Sequence, residues 1–76
     1  MKIRITRPGR KHRIGAAHIA AAIENSGGPT LLGDAYWYWG NDDRGIELEI
    51  IAVPDDTGRA DLSVIHAMPT AYRETS

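Results

Sequence analysis

The chain contains no cysteine, no phenylalanine and no long apolar run. Without cysteine it has neither a disulfide framework nor a thiolate zinc site, which favours a cytoplasmic location. No segment approaches the ~20 apolar residues that cross a membrane, and the charged N-terminus lacks the apolar centre of a secretion signal. With 76 residues the chain has the length of one domain, and residues 1–76 are predicted to form a single one.

The net charge of the chain is only -1, but its charges are unevenly distributed, because basic residues are scarce after residue 13. Residues 1–13 contain six Lys or Arg and no acid, whereas the remainder contains three bases and all ten acids. The first segment therefore carries +6 and the rest -7. A basic arm beside an acidic body indicates a polyanion or an acidic protein as partner. The alternative is that the arm docks onto the acids of its own chain.

The spacing of apolar residues predicts five elements in the order strand, helix, strand, strand, strand. Their approximate bounds are Met1 to Thr6, Ile14 or Gly15 to Asn25, Thr30 to Trp39, Ile46 to Val53, and Leu62 to Met68. Short loops between the last three strands predict antiparallel neighbours. One helix covers only one face of a sheet, so we predict an α+β fold: a small antiparallel sheet with one helix packed on one face.

An aromatic run, Tyr36-Trp37-Tyr38-Trp39, occupies the second predicted strand. Alternation places the two tryptophans on one face and the two tyrosines on the other. Because there is no phenylalanine to fill the core, we expect Trp37 and Trp39 to be core residues. The alternative is a platform on which nucleic acid bases stack. With the tryptophans in the core, the face of the sheet that the helix leaves uncovered is predicted to bear Tyr36, Tyr38, Glu47 and Glu49.

The last predicted strand, Leu62 to Met68, is apolar on both faces, which is typical of a central strand. Strict alternation places His66 on the same face as Leu62 and Val64. This histidine is therefore expected at the rim of the core. His12, in the basic segment before the helix, is expected to be better exposed.

The spacing of potential metal ligands does not suit a metal site. The three histidines are far apart in sequence, and the two Asp-Asp pairs occur in turn-forming loops, where aspartate is common for backbone reasons. No serine has the flanking glycines of a nucleophile elbow, and the glycine pair follows the helix instead of preceding one, as a phosphate loop would. We therefore predict neither a metal ion nor another cofactor.

The remaining protonatable and cationic residues suit metal-independent RNA cleavage. In that reaction a base removes the 2′-OH proton, cations stabilise the charged phosphorus centre, and an acid protonates the leaving 5′ oxygen. Histidine titrates near neutrality and can serve either proton transfer. The residues of this kind are Lys11, His12, Arg44, His66, Tyr72 and Arg73.

Three short motifs carry a family resemblance: Arg10-Lys11-His12 before the helix, Asp43-Arg44-Gly45 before an alternating strand, and Val64 to Met68 leading to Arg73. In this order of elements the chain resembles the RelE-superfamily ribonuclease toxins of bacterial toxin–antitoxin pairs, most nearly the BrnT-like branch. The resemblance implies a RelE-like fold, mRNA as substrate and no metal. It also implies a cognate antitoxin protein as partner, in a homodimer or a heterotetramer with the antitoxin, and no membrane partner.

The first hypothesis is therefore a toxin-like endoribonuclease. His12 or His66 acts as base or acid, Lys11 and Arg73 stabilise the phosphorane, and Tyr72 orients or protonates. The residues expected to bind RNA are Arg7, Arg10, Arg13 and Arg44.

The second hypothesis is a non-catalytic module of the same fold, which binds a protein or a nucleic acid through the open sheet face. The arginine-rich C-terminal helix of BrnT proteins is reduced here to Tyr72 and Arg73, a difference that favours this alternative.

Overall fold

The computed structural model describes residues 1–74, and residues 73 and 74 by their backbone only. Five strands form one mixed sheet, and one longer helix packs on one of its faces, which confirms the α+β class. The strands are β1 (Ile3–Ile5), β2 (Thr30–Leu32), β3 (Ala35–Asn41), β4 (Glu47–Pro54) and β5 (Leu62–Pro69), in the spatial order β1-β5-β4-β3-β2. The helices are α1 (Ala16–Asn25), the one-turn α2 (Ala71–Glu74) and a 3-10 turn (Pro8–Arg10) between β1 and α1.

The sheet differs from the predicted antiparallel sheet at both edges. β1 runs parallel to β5, with Ile3 opposite Leu62. Short loops make neighbouring strands antiparallel, but the chain leaves β1 through α1 and crosses the sheet, so this expectation does not apply to β1. The predicted strand from Thr30 to Trp39 is instead a hairpin of β2 and β3, since Gly33 has a φ of 64° and turns the chain. The sheet is therefore mixed and has five strands instead of four.

The core lies between α1 and one face of the sheet, which we call the core face. Gly40 on β3 allows the helix to approach closely, since a Cβ at this position would meet the carbonyl oxygen of Ala22 and lie 2.8 Å from the backbone nitrogen of Ser26. The buried apolar residues are Ile19, Ala22, Ile23, Tyr38, Leu48, Ile50, Ala52, Leu62, Val64 and Ala67. The rings of Tyr38 and Tyr36 thus supply the core volume that we expected from the tryptophans.

The opposite side of the sheet, which we call the open face, carries the tryptophans. Within residues 1–74, α1 is the one helix that packs across the strands, and it covers the core face. The side chains of Trp37, Ile51 and His66 form one row across β3, β4 and β5 of the open face, and Trp39, Glu49 and Met68 form the next. In the same described part of the chain, no helix has the length and apolar character to cross a membrane.

The loop between β4 and β5 is organised by the carboxylate of Asp55, whose side chain has no exposed surface. This carboxylate accepts hydrogen bonds from the Ser63 and Thr57 hydroxyls and from Arg4 Nε, at 2.5, 2.5 and 2.8 Å. These three donors hold the pKa of Asp55 far below its usual range, and Ser63 has the largest effect, followed by Thr57 and Arg4. The carboxylate therefore links β1 to β5 and to the loop in its ionised form.

Because the pKa of Asp55 is lowered by folding, its stabilising contribution is present above the unfolded pKa of ~4 and is lost as the pH falls below that value. We expect Asp55→Asn to lower the urea midpoint at pH 7 and to flatten the decline in stability between about pH 4 and pH 2. The matched control is Asp56→Asn, which removes an exposed carboxylate from the same loop. Equal acid sensitivity of the wild type and Asp55→Asn would contradict the assignment.

Candidate active site

A β-bulge decides where His66 points. Ile51 on β4 pairs with His66, whereas the next residue, Ala52, pairs with Val64, so Ile65 is an extra residue in β5. The extra residue shifts the alternation, and His66 lies on the open face, opposite to Val64. The predicted face was wrong because strict alternation assumes a strand without a bulge.

Glu49 holds His66 in place. The sequence pattern placed Glu49 outward among solvated residues, but its residue surface is only 2% exposed. Its Oε2 lies 3.0 Å from His66 Nε2, and its Oε1 accepts a hydrogen bond from Trp39 Nε1 at 3.4 Å. When this carboxylate is ionised it only accepts, and the tautomer of His66 that suits it carries the proton on Nε2 and offers Nδ1 to another partner. The signal for this residue was its register opposite Trp39, which is visible only once the sheet is assembled.

The 3-10 turn brings His12 to the same end of β5. Gly9 packs against the carbonyl group of Val64, and Thr6 donates to that carbonyl oxygen through its backbone nitrogen at 3.0 Å and its hydroxyl at 2.9 Å. The imidazole of His12 then stands edge-on to His66, with 6.2 Å between ring centroids. It stands edge-on to Tyr72 as well, at 5.8 Å.

We refer to these groups as the histidine cluster: His12, Glu49, His66 and Tyr72. They come from the turn before α1, from β4, from β5 and from α2. Three of the four residues were predicted site residues, and the fourth, Glu49, was not. The cluster places two imidazoles and a phenol side by side, which is an arrangement suited to proton transfer.

A cleft of about 340 Å³ adjoins the histidine cluster, and we call it the basic cleft. The polar and cationic side chains that line it are His12, Arg13, His18, Arg44 and Tyr72, and the remaining lining residues are Ile14, Gly15, Ile46 and Pro69. α1 starts at this cleft, and its N-cap, Gly15, supplies no side-chain hydrogen bond to the first turn. Backbone N–H groups at a helix start and a group of cations both favour an anionic ligand.

The acids near the basic cleft are already bound. Burial opposes ionisation of Asp42, but hydrogen bonds from the Arg44 side chain and from the backbone nitrogens of Ile46 and Arg44 outweigh it and lower the pKa of Asp42. The His18 ring, 2.5 Å from Asp43, lowers the pKa of that carboxyl group too. The Arg44 guanidinium is held through Nε and one terminal nitrogen, so its other N–H groups are available to a ligand.

His18, Asp42 and Asp43 lie close enough to hold an ion, with their ligand atoms within 4.8 Å of one another. Both oxygens of Asp42, however, already accept hydrogen bonds from Arg44 or from the backbone of Ile46. The Arg44 cation would also repel a metal ion. The group therefore fits an internal ion-pair network that orients Arg44 better than it fits a metal site.

The other predicted site residues fall outside this arrangement. Arg7, Arg10 and Lys11 are exposed on or beside the 3-10 turn, and none of them lines the basic cleft. Arg10 lines a second cleft, of about 330 Å³, together with Lys2, Arg4 and Arg59. The side chain of Arg73 lies outside the described part of the structure.

Comparison of this chain with protein-family profiles, with curated proteins and with solved structures gave no match. The functional interpretation therefore rests on the histidine cluster and the basic cleft.

Proposed function

We propose that this chain is an endoribonuclease that cleaves RNA without a metal ion. The observation that carries the proposal is the contact between His12 and His66, which come from opposite ends of the chain and stand 6.2 Å apart between ring centroids. This contact lies beside the basic cleft, which His12 and Tyr72 also line. Two imidazoles beside an anion-binding surface supply the base, the acid and the charge stabilisation that the reaction needs.

In the proposed reaction His66 is the base and His12 is the acid. The 2′ oxygen attacks phosphorus while its proton passes to Nδ1 of His66, and Glu49 stabilises the imidazolium that forms. The bond from phosphorus to the 5′ oxygen breaks, and protonated His12 gives its proton to that oxygen. The products are a 2′,3′-cyclic phosphate and a 5′-hydroxyl, so protons and bonds balance without a further reactant.

Arg13 and Arg44 bind the phosphate in this proposal. Arg13 has a φ of 56°, a left-handed conformation that costs a non-glycine residue ~1 kcal/mol or more. Such strain is common at functional sites, and here it accompanies a side chain that lines the basic cleft. Arg44 is oriented by Asp42, with 2.7 Å between the terminal nitrogen and Oδ2. Together with the first turn of α1, the two guanidinium groups stabilise charge on the nonbridging oxygens.

The charges around the site support a polyanionic substrate. Among the described residues, Arg4 is the one cation of residues 1–13 whose side chain forms an ion pair, with Asp55. The acids beside the basic cleft, Asp42 and Asp43, are paired with Arg44 and His18, and Glu49 within the histidine cluster is buried and paired with His66. The unpaired cations of the first segment therefore remain for the phosphates of an RNA chain.

We further propose that the ribonuclease is the toxin of a toxin–antitoxin pair, with a RelE-like fold, mRNA as its substrate and the cytoplasm as its compartment. Support comes from the BrnT-like motifs and from the places they occupy. Arg10-Lys11-His12 precedes α1, and Asp43-Arg44-Gly45 precedes β4. The helix on one face of the sheet agrees with that arrangement. A cognate antitoxin, in a homodimer or a heterotetramer, is part of this proposal.

A second candidate is a non-catalytic binding module of the same fold. It is favoured by the open face, where Trp39 is 38% exposed and which α1, packed on the core face, leaves uncovered. This candidate predicts that the protein binds RNA or another partner and leaves RNA intact.

The first test is cleavage of a single-stranded RNA oligonucleotide by purified protein in excess EDTA. We expect cleavage to persist, with 2′,3′-cyclic phosphate ends detected by mass spectrometry, because the proton transfers use only side chains. The matched control is the same oligonucleotide with 2′-deoxyribose throughout, which has no attacking hydroxyl and is expected to stay intact. RNA that remains uncleaved, or cleavage that EDTA abolishes, would exclude the proposed mechanism.

A further inference from the structure

The open face carries a pair of tryptophans that the proposed cleavage chemistry does not use. The ring centroids of Trp37 and Trp39 are 5.7 Å apart, and their planes are inclined by 31°. Trp39 is exposed and Trp37 is half-buried, because the tyrosines of β3 take the core face instead. These two large rings, one exposed and one half-buried, lie on the face that α1 leaves uncovered, and an apolar surface of this kind indicates a binding site.

The tryptophan pair is tied to the histidine cluster through a single carboxylate. Trp39 Nε1 donates to Glu49 Oε1 at 3.4 Å, and Glu49 Oε2 lies 3.0 Å from His66 Nε2. Trp37 lies in the same row as His66, with Ile51 between them. Two strand spacings separate the backbones of Trp37 and His66 by roughly 10 Å. The tryptophan pair therefore lies on the same face of the sheet as the proposed base, two strands away from it.

We propose that Trp37 and Trp39 form a subsite for a nucleobase of single-stranded nucleic acid, next to the phosphate that is cleaved. This inference rests on the proposed function and adds that the substrate is single-stranded. Stacking on an indole requires a base that is unstacked from its neighbours, which single strands and loops provide and duplexes do not. Stacking alone also tolerates any base, so the subsite selects strand form and not sequence.

The charges beside the open face favour a nucleic acid over a protein as occupant. His12 contacts His66 on the open face and also lines the basic cleft, so it stands where the two surfaces meet. A chain whose phosphates occupy the cleft can pass His12 and place a base on the tryptophans. Glu49 on this face is buried and bound, so it adds no exposed negative charge beside that path. The exposed acid of β4, Glu47, lies one row beyond Trp39, away from His66, and accepts a hydrogen bond from the Thr70 hydroxyl. An apolar protein surface would leave the neighbouring cations without partners.

Intrinsic fluorescence reports directly on this subsite, because the chain has only two tryptophans and both belong to it. The probe is a single-stranded DNA oligonucleotide of ~6 nucleotides, titrated at low salt. Its matched control is an abasic oligonucleotide with the same number of phosphates. We expect quenching by the first and little change with the second, with binding to both weakened by salt.

A variant isolates the contribution of stacking. We expect Trp39→Ala to bind the oligonucleotide about tenfold more weakly or worse, and to bind the abasic control as the wild type does. Trp39→Phe is expected to restore part of the affinity, since it keeps an aromatic face. The control substitution is Leu31→Ala, which removes an exposed apolar side chain from β2 and should leave binding unchanged. Circular dichroism checks that each variant is folded.

Three outcomes would overturn the subsite. They are binding without a change in fluorescence, equal quenching by the abasic probe, and a concentration-dependent dimer whose tryptophans are shielded and unresponsive to oligonucleotide. The last would assign the open face to a second copy of the chain. Because the DNA probe cannot be cleaved, these results are independent of catalysis. Quenching without RNA cleavage would exclude the ribonuclease and support the subsite. Cleavage without quenching would exclude the subsite and support the ribonuclease.

Discussion

Replacing either His12 or His66 with alanine is expected to reduce the rate of RNA cleavage by about 10²- to 10⁴-fold. General acid–base catalysis by a positioned side chain typically contributes that much. Each imidazole takes one of the two proton transfers, and the carboxylate closest to His66, that of Glu49, is buried and already bound to His66 and Trp39. Tyr72 contacts His12 at 5.8 Å between rings, but a phenol is a poor base at neutral pH.

The third histidine supplies the matched control. His18 lines the same basic cleft as His12 but is paired with Asp43, outside the histidine cluster. We expect His18→Ala to keep cleavage within about tenfold of the wild type, since it removes a cleft side chain that takes part in neither proton transfer. The double His12→Ala/His66→Ala variant should be little slower than either single variant, because the two rings act as a unit.

The same variants separate the toxin proposal from the binding-module candidate in cells. Expression of the wild-type chain without a partner is expected to arrest bacterial growth, and the double variant should not. If the double variant cleaves RNA or arrests growth as the wild type does, the histidine cluster is not the catalytic site. The pH dependence gives a further check, because a base and an acid in opposite protonation states produce a bell-shaped rate profile.

The sequence predicted the elements well where local chemistry decides them. α1 was expected from Ile14 or Gly15 to Asn25 and runs from Ala16 to Asn25, since an alanine-rich segment followed by glycines specifies its own ends. The loop at Asp42 likewise forms where it was expected, because the carboxylate binds the backbone nitrogens of Arg44 and Ile46.

The faces of the strands could not be predicted in the same way. Alternate residues of a strand point to opposite faces, and packing decides which of the two groups faces the helix. On β3 it is the group of Tyr38 and Gly40, because only glycine allows α1 to approach so closely. The bulge at Ile65 then reversed the face of His66. A bulge depends on the register between neighbouring strands, which cannot be read from the sequence of one strand alone. Glu49 was missed for the same reason, since its partners lie on two neighbouring strands.

The contact between His12 and His66 was open to prediction only in part. Both residues were recognised as candidates from their chemistry, but His66 was expected at the rim of the core and His12 at the surface. What the sequence could not specify is the parallel pairing of β1 with β5, which carries the following turn along the edge of β5. That pairing depends on the connection through α1, which leads from β1 at one edge of the sheet to β2 at the other. Because the start of α1 lines the basic cleft, the geometry of the site also depends on where α1 packs.

Substituting Gly40 with alanine is expected to lower the free energy of unfolding by about 3 kcal/mol. A Cβ at Gly40 would overlap the carbonyl oxygen of Ala22 and lie 2.8 Å from the Ser26 backbone nitrogen. Backbone atoms of a packed helix cannot rotate away as a side chain can, so α1 must move off the sheet. Small domains have a total stability of only about 5–15 kcal/mol, and a loss of this size removes much of it.

Gly15→Ala is the control for the alanine side chain itself. A Cβ at Gly15 has His18 Cδ2 as its near neighbour at 3.6 Å, an ordinary contact. Its backbone is extended, with φ of -66°, so alanine is tolerated there. As an N-cap change it should cost about 1 kcal/mol or less. Urea unfolding followed by tryptophan fluorescence and circular dichroism compares the two variants, and equal losses would contradict the close packing at Gly40.

The Gly40 variant also tests how the site is positioned. Gly15 and His18 at the start of α1 line the basic cleft, whereas His66 belongs to the sheet. If α1 shifts on the sheet, the cleft moves relative to the imidazoles while every catalytic side chain is kept. We therefore expect Gly40→Ala to slow RNA cleavage at a temperature where it is still folded. Full activity in a folded Gly40→Ala protein would show that the cleft does not depend on where α1 lies.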